Sequence, residues 1–184
     1  MVKIVLIGIQ GSGKSTQGNL LAEKLKVPYL STGHIFREIA KEHTPMGRYI
    51  KEIMNSGYLI PDEKTLEIVS DYLSRPEYQK GYILDGFPRT KVQAESFKNG
   101  IDAVLYIKVL DEEAIRRLSL RRDNREDEAP RALKKRIESF HKFTIPVLEY
   151  YKEKGKLHEI NGERTIEEIH RDICGILGVA SNGQ

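Results

Sequence analysis

Short apolar runs alternate with longer amphipathic stretches along almost the whole chain. The apolar runs occupy residues 2–7, which are rich in β-branched side chains, 28–30, 82–84 and 103–107, and residues 156–160 form a last, partly polar strand candidate. Runs of this length and composition are typical of buried parallel strands. The stretches between them repeat apolar residues every three or four positions, as amphipathic helices do. The alternation predicts an α/β fold, a parallel sheet with helices on both faces.

The segment 32–60 departs from this alternation because it holds helical patterns and no apolar run. Its first predicted helix covers Ile35–Lys41, with Ser31 or Thr32 as the N-cap. Its second follows the break at Thr44-Pro45 and ends near Asn55, with Gly57 as a terminating glycine. We therefore predict a small helical insert between two parallel strands.

Three further helices are predicted in the second half of the chain. Asp111 is expected to cap a helix that runs to Leu120, and residues 165–177 to form the last helix. Between them, Asp127 is expected to start a long helix with Pro130 in its first turn, where proline is tolerated. Pro146 should kink that helix because proline lacks an N–H and clashes with the preceding turn.

The loop from Gly8 to Ser15, Gly-Ile-Gln-Gly-Ser-Gly-Lys-Ser, fits the phosphate-binding pattern G-x-x-x-x-G-K-[ST] without a mismatch. It lies between a predicted strand and a predicted helix, the context that the pattern requires. Glycines let backbone N–H groups close around a polyphosphate, and the helix N-terminus favours negative charge. Lys14 would reach the β- and γ-phosphates, and the Ser15 hydroxyl would ligate Mg²⁺. The alternative, a tight turn with a surface lysine, requires the pattern and both flanks to coincide by chance.

Two charged residues follow the third apolar run. Asp85 ends that run, where phosphate-loop proteins carry a second carboxylate that organises Mg²⁺. A turn or helix-capping aspartate is the alternative. Arg89 follows Phe87-Pro88, a stiff backbone that would hold a guanidinium for bidentate phosphate contacts. A surface salt bridge is the alternative for Arg89.

A set of arginines is the remaining chemical feature. Arg117 and Arg121 lie one helical turn apart, and Arg125 and Arg136 follow. Clustered like charges repel one another, so a polyanion undergoing phosphoryl transfer is a natural partner. The alternative is a solvated face paired with Asp123 and the acidic residues 126–128, and for Arg116 and Arg122 that alternative is the better interpretation.

Composition narrows the class of protein. The chain has 184 residues, enough for one α/β domain, with 39% hydrophobic and 31% charged residues, as in soluble globular proteins. A net charge of +3 without a basic run gives no reason to expect nucleic-acid binding. Cys174 is the only cysteine, which excludes an internal disulfide and a Cys-rich zinc site. Neither a signal peptide nor a membrane-length apolar run is recognisable, so we expect a cytoplasmic protein without a membrane partner.

The sequence resembles the adenylate kinase family from Met1 to about Leu177. The stretches that carry the resemblance are the glycine loop with Thr16-Gln17, Leu30–Gly33, Arg37, Gly57–Asp62, Leu84–Thr90, Gln93–Glu95, the spaced arginines, Thr144–Pro146 and Tyr150-Tyr151. The resemblance implies a P-loop NTPase fold with a five-stranded parallel sheet. It also implies a single adenylate kinase domain, with core segments 1–30, 61–116 and 137–177, an AMP-binding insert 31–60, a short lid 117–136 and a frayed tail 178–184.

The resemblance further implies Mg²⁺-dependent transfer of the ATP γ-phosphoryl group to AMP, giving two ADP, by positioning and charge neutralisation without an essential base. The residues implied for ATP are Gly11, Ser12, Gly13, Lys14, Ser15, Thr16, Arg117, which would stack on adenine, and Arg121. Those implied for AMP are Thr32, Arg37, Leu59, Gly86, Arg89, Gln93, Arg125 and Arg136. The catalytic set is Lys14, Arg89, Arg121, Arg125 and Arg136, and Mg²⁺ would contact Ser15 and, through water, Asp85. No zinc is expected, and the protein is expected to be a monomer.

Three residues depart from the family pattern: Gln10 replaces the usual proline, Ser15 a glycine, and His34 an acidic residue. Only three residues separate Arg121 from Arg125, so the long inserted lid of many bacterial members is absent. One rival interpretation is a UMP/CMP or other nucleoside monophosphate kinase, against which Thr32 and Gln93 favour adenine. The other is a slow nucleotide-dependent switch, which would need a guanine-reading N-K-x-D stretch that the sequence lacks.

Overall fold

A five-stranded parallel sheet forms the centre of the molecule in the computed structural model, which describes residues 2–120 and 129–180. The strands are β1 (Val2–Ile7), β2 (Tyr29–Ser31), β3 (Gly81–Asp85), β4 (Ala103–Lys108) and β5 (Leu157–Asn161). Their order across the sheet is β2-β3-β1-β4-β5, and β1 pairs in parallel with both β3 and β4. The parallel α/β sheet predicted from the sequence is confirmed.

Helices connect the strands. They are α1 (Lys14–Leu25), α2 (Thr32–Lys41), α3 (Pro45–Asn55), α4 (Asp62–Ser74), α5 (Lys91–Ser96), α6 (Asp111–Ser119), α7 (Pro130–Ser139), α8 (Ile145–Glu153) and α9 (Ile166–Ile176). A 3₁₀ turn covers Pro76–Tyr78, and a π-helical segment covers Phe140–Thr144. None of the described helices is long and apolar enough to cross a membrane.

Both faces of the sheet are covered by apolar side chains, as expected for parallel strands. On one face, Val5 and Leu84 pack with residues of α4 and α8 such as Val69. On the other, Ile4 and Leu6 pack with α1 and α9 through Leu21 and Ile173. Successive strand residues point to opposite faces, so each strand contributes to both cores.

The insert between β2 and β3 contains α2 and α3, as its sequence predicted. Ser31 is the N-cap of α2 because its Oγ accepts a hydrogen bond from the His34 N–H at 3.4 Å. Thr44 does the same for α3, accepting from the Gly47 N–H at 2.9 Å. Gly57 follows α3 with a φ of 74°, a left-handed conformation that terminates helices.

The prediction that Asp111 caps α6 is wrong. Leu110 is the N-cap residue and Asp111 is the first residue of the helix, so its side chain caps nothing. Instead the Asp111 carboxylate pairs with His141 Nε2 at 2.9 Å, where it also benefits from the helix dipole. The proposed start at Asp127 lies outside the described residues; α7 begins at Pro130, with Ala129 as its N-cap.

The expected kink near Pro146 takes the form of a π-helical segment. The helical path runs from α7 through Phe140–Thr144 into α8, and Pro146 lies in the first turn of α8. Proline has no N–H to donate to the preceding turn, so a regular α-helical pattern cannot continue through it. The long predicted helix is therefore two α-helices joined by a wide turn.

Candidate functional site

A cleft lies at the carboxyl ends of β1 and β3. The chain leaves β1 toward β2 on one side of the sheet and leaves β3 toward β4 on the other. Such a divergence opens a crevice, which is where doubly wound sheets bind their ligands. The described residues that line the cleft come from the glycine loop, the insert, the loop after β3 and the run from α7 to the π segment.

The glycine loop folds as its pattern requires. Gly13 adopts a φ of 92° and directly precedes α1, so the free N–H groups of the first turn point into the cleft. A Cβ at Gly13 would meet no atom within 4 Å, so the space in front of the loop is open. Lys14 Nζ donates to the carbonyl oxygens of Gly8 at 2.7 Å and Ile9 at 2.9 Å, which places its charge within the loop. Backbone donors and a cation in one concave loop form an anion site.

Asp85 lies beside this loop at the end of β3. One carboxylate oxygen, Oδ2, accepts from the Tyr29 hydroxyl at 2.6 Å and lies 3.5 Å from Ser15 Oγ. The other oxygen, Oδ1, is buried and has no hydrogen-bond partner among the described residues. Burial, and secondarily the charge of Asp85, raise the pKa of Tyr29 well above its usual value, so the phenol stays a hydrogen-bond donor. A hydroxyl and a carboxylate oxygen that lacks a donor are ligands that fit hydrated Mg²⁺.

Most of the residues predicted to bind AMP lie at the same cleft. Those that line it are Arg37, Leu59, Gly86, Arg89, Gln93 and Arg136. Arg89 is braced by its Nε, which donates to the Gly86 carbonyl at 2.7 Å. Thr32 is fully buried beneath the cleft, and its hydroxyl donates to the Asp85 carbonyl at 3.2 Å. Gly11, Gly13, Lys14 and Ser15 line the same cleft, so both predicted groups meet in one site.

Arg136 connects the glycine loop to the insert. Its guanidinium donates to Gln10 Oε1 and to the Met54 carbonyl, both at 3.1 Å. Gln10 therefore has a defined contact. Gly57 lies against α7 so closely that a Cβ there would be 2.8 Å from Ala132 Cα. The insert and α7 are thus in direct contact beside the cleft.

Some predicted residues do not reach the cleft. Arg117 and Thr16 are not among the described residues that line it, and Ser12 is buried within the loop. Arg117 Nε donates to Glu113 Oε1 at 2.6 Å, and Arg116 makes two further bonds to the same carboxylate. Hydrogen bonds from both arginines lower the pKa of Glu113 to about 2. Arg116 lies on an exposed surface, but its partner is Glu113 rather than one of the acidic residues 123 and 126–128, which lie outside the described residues. Arg121, Arg122 and Arg125 lie outside the described residues as well.

Three residues of the site had no role assigned from the sequence. Tyr29 bonds to Asp85, Asp62 accepts from Gln93 Nε2 at 2.8 Å, and the Thr144 hydroxyl donates to the Arg89 carbonyl at 2.9 Å. Of these three residues, only Thr144 could have been singled out from the sequence, because it is a polar residue within the apolar stripe of its predicted helix. Tyr29 and Asp62 are ordinary strand-end and helix-start residues in sequence. Among residues 2–120 and 129–180, no three His, Cys, Asp or Glu side chains form a group that could hold a metal by themselves.

Comparison with known proteins agrees with this geometry. The profile of the family described as "Adenylate kinase" matches residues 6–156. The chain is 38% identical to the adenylate kinase of Clostridium botulinum (strain Loch Maree / Type A3), with 96% of this chain and 99% of the relative covered. It is 36% identical to the adenylate kinase of Ruminiclostridium cellulolyticum, with 97% and 100% covered. This chain belongs to the adenylate kinase family.

Proposed function

We propose that this protein catalyses the reversible transfer of the γ-phosphoryl group of ATP to AMP, giving two ADP. The observation that carries the proposal is that the glycine loop and the side chains of Arg37, Arg89 and Gln93 line one and the same cleft. A donor site and an acceptor site in one cleft allow direct transfer of a phosphoryl group while water is excluded.

The ATP side is assigned to the glycine loop. Lys14 and the N–H groups at the start of α1 would hold the β- and γ-phosphates, as the concave geometry supports. Lys14 Nζ lies 2.7 Å from the Gly8 carbonyl, so it would exchange loop carbonyls for phosphate oxygens with a small movement of its flexible stem. Thr16, Arg117 and Arg121 complete the proposed ATP set.

The acceptor side is assigned to Arg37, Arg89 and their neighbours. Arg37 and Arg89 would bind the AMP phosphate, with the Arg89 guanidinium held in place by the Gly86 carbonyl. Thr32, Leu59 and Gly86 belong to the same proposed set, and Gln93 would bind the adenine edge. No side chain of the cleft is needed as a general base, because phosphoryl transfer depends on positioning and on stabilising charge over the phosphate oxygens. Arg125 and Arg136 are proposed to supply part of that charge.

Ser15 and Asp85 are the residues proposed to hold Mg²⁺, Asp85 through water. The unpartnered Oδ1 of Asp85 and the nearby Ser15 hydroxyl support this assignment. When bound with ATP, Mg²⁺ supplies positive charge that stabilises the β- and γ-phosphate oxygens. Zinc is not part of the proposal. Metal analysis of protein purified without added zinc should find well under one equivalent, and stoichiometric zinc released only on unfolding would contradict this.

The domain assignment is also a proposal. Residues 31–60 would be the mobile AMP-binding insert and residues 117–136 a short lid over ATP. The alignment with the Clostridium botulinum relative spans 213 positions, more than this chain's 184 residues, so the relative carries residues that this chain lacks. That difference supports a short lid. A monomeric state and a cytoplasmic location complete the proposal.

The test is a coupled assay of ADP formation from ATP and a panel of monophosphates, with and without Mg²⁺. AMP should be preferred over GMP and UMP by at least roughly tenfold in kcat/KM, since each mismatched base leaves a buried group unsatisfied at about 1–3 kcal/mol. Gln93→Leu should reduce the preference mainly by impairing AMP. Arg89→Ala, the matched control, should impair every monophosphate alike. Comparable rates for AMP and UMP would refute the adenylate assignment.

A further inference from the structure

The side-chain amide of Gln93 is held between two neighbours of opposite hydrogen-bonding character. Its Oε1 accepts from the backbone N–H of Arg89, and its Nε2 donates to Asp62 Oδ1, both at 2.8 Å. Gln93 is 1% exposed, so both hydrogen bonds are shielded from solvent. An N–H can only donate and a carboxylate can only accept. A reversed amide would therefore face donor against donor and acceptor against acceptor.

Asp62 is itself fixed from two sides. The same Oδ1 atom accepts from the Thr90 hydroxyl at 2.8 Å, and Thr90 Oγ1 in turn accepts from the backbone N–H of Gln93 at 3.2 Å. Thr90 is the N-cap of α5, and Asp62 is the first residue of α4, where the helix dipole favours a negative charge. Asp62, Thr90 and Gln93 thus form a closed ring of hydrogen bonds that joins the starts of two helices.

The Gln93 amide retains one unused donor and one unused acceptor, with which it can bind a ligand. An amide oxygen has two lone pairs and an amide nitrogen two hydrogens, and the protein uses one of each. What remains is one acceptor and one donor side by side, in an order set by Arg89 and Asp62. Adenine presents an amino donor next to a ring-nitrogen acceptor, the complementary order. Hypoxanthine and guanine present a carbonyl acceptor next to a ring N–H, the reverse order.

We infer that Asp62 is a positioning residue that fixes the polarity of the Gln93 amide and so excludes 6-oxopurine monophosphates. The inference rests on the proposed function, because it assumes that Gln93 meets the acceptor base. Asp62 is not among the described residues that line the cleft. Without it, only the Arg89 N–H opposes reversal of the amide, and a reversed amide complements IMP.

The experiment compares AMP with IMP as acceptors for the Asp62→Ala variant at saturating MgATP. KM for AMP should rise roughly tenfold, the effect of losing one hydrogen bond to a charged group, while kcat changes by less than about threefold. The kcat/KM for IMP should increase in absolute terms. The AMP/IMP ratio should therefore fall by more than tenfold. Equilibrium binding of AMP and IMP, measured by calorimetry, should change in the same directions.

The increase for IMP is the decisive result, because general damage to the site would lower both substrates together. A parallel loss for AMP and IMP, with the ratio unchanged, would overturn the inference. Glu63→Ala is the matched control, since Glu63 lies in the same turn of α4 and is exposed. It should leave the ratio unchanged.

Asp62→Asn keeps an acceptor oxygen of the same size and should give a ratio between those of the unmodified enzyme and Asp62→Ala. If circular dichroism shows that the alanine variant is unfolded, the asparagine variant becomes the test. An AMP/IMP ratio for that variant equal to that of the unmodified enzyme would contradict the inference. Failure of the unmodified enzyme to phosphorylate AMP would instead refute the proposed function.

Discussion

Gly18→Ala adds one methyl group in α1 and tests how tightly this helix packs against β1 and β2. The Cβ of the new alanine would lie 2.8 Å from Tyr29 Cδ2 and 2.9 Å from Leu6 Cδ1. Both distances are shorter than real Cβ contacts. The Tyr29 ring is confined because its hydroxyl is bonded to Asp85 at 2.6 Å, so it cannot turn aside without losing that bond.

Two effects of opposite sign compete in this variant. Alanine is the better helix former, which favours the folded state by about 0.5–1 kcal/mol. Overpacking of a well-filled region costs about 1–3 kcal/mol. The steric cost should prevail, because the obstructing atoms belong to an aromatic ring and a strand residue rather than to a flexible surface chain. We expect a net loss of about 1–2 kcal/mol in the free energy of unfolding. The Tm should fall by roughly 2–8 °C for a domain of this size.

The assay is thermal and urea unfolding followed by circular dichroism, with kcat measured on the same preparation. Because Tyr29 orients Asp85, kcat should decrease at limiting Mg²⁺ more than at saturating Mg²⁺. Gly175→Ala is the matched control: Gly175 lies in α9, and a Cβ there meets nothing within 4 Å. The control should be unchanged or slightly more stable. A Gly18→Ala variant as stable as the control would refute the packing argument.

Three further predictions concern other parts of the site. Lys14→Met should abolish phosphoryl transfer and leave the unfolding midpoint nearly unchanged; a variant that kept most of its turnover would contradict the role of the glycine loop. Glu113→Gln should lower stability above pH 4.5 and lose that effect as the pH falls toward 2, because the arginine contacts lower the pKa of Glu113 from 4.5 to about 2; unfolding midpoints between pH 7 and 2 measure this, and a difference that is independent of pH would count against it. Two adenosines joined by five phosphates should slow hydrogen exchange in residues 32–60 and 117–136 together; protection confined to residues 8–16 would argue against the second site.

Strands β1 to β4 were predictable from sequence because each coincides with a short, largely apolar run, whereas β5 is partly polar. The structure extends β3 and β4 by one or two residues only. The six-residue helix α5 was not predicted, since it is too short for an apolar period to be recognised. The sequence predicted a kink at Pro146 but not that it would be a π-helical segment. Apolar periodicity indicates a helix, but it does not give the number of residues in each turn.

Residues at the cleft were predictable where they end a strand, as Asp85 does in β3, or follow one in a recognisable loop pattern, as Lys14 does after β1. Their supporting contacts were not, because the pairs are far apart in sequence. Tyr29 and Asp85 are separated by 56 positions, and Asp62 and Gln93 by 31. No local pattern marks such pairs, since the fold alone brings the ends of different elements together.

The π segment also sets the angular phase of the residues on either side of it. Arg136 and Thr144 are eight positions apart, so in an uninterrupted α-helix they would point about 80° away from each other. A π turn accommodates one additional residue, equivalent to about 100° of rotation, and reduces this difference to about 20°. Arg136 can therefore reach Gln10 and Met54 while Thr144 reaches the Arg89 carbonyl on the same side of the path. The same residues wound as a regular α-helix would turn Thr144 and all of α8 about a quarter turn away from the cleft, whereas deleting one residue of the π segment would give a regular helix that keeps the present phase.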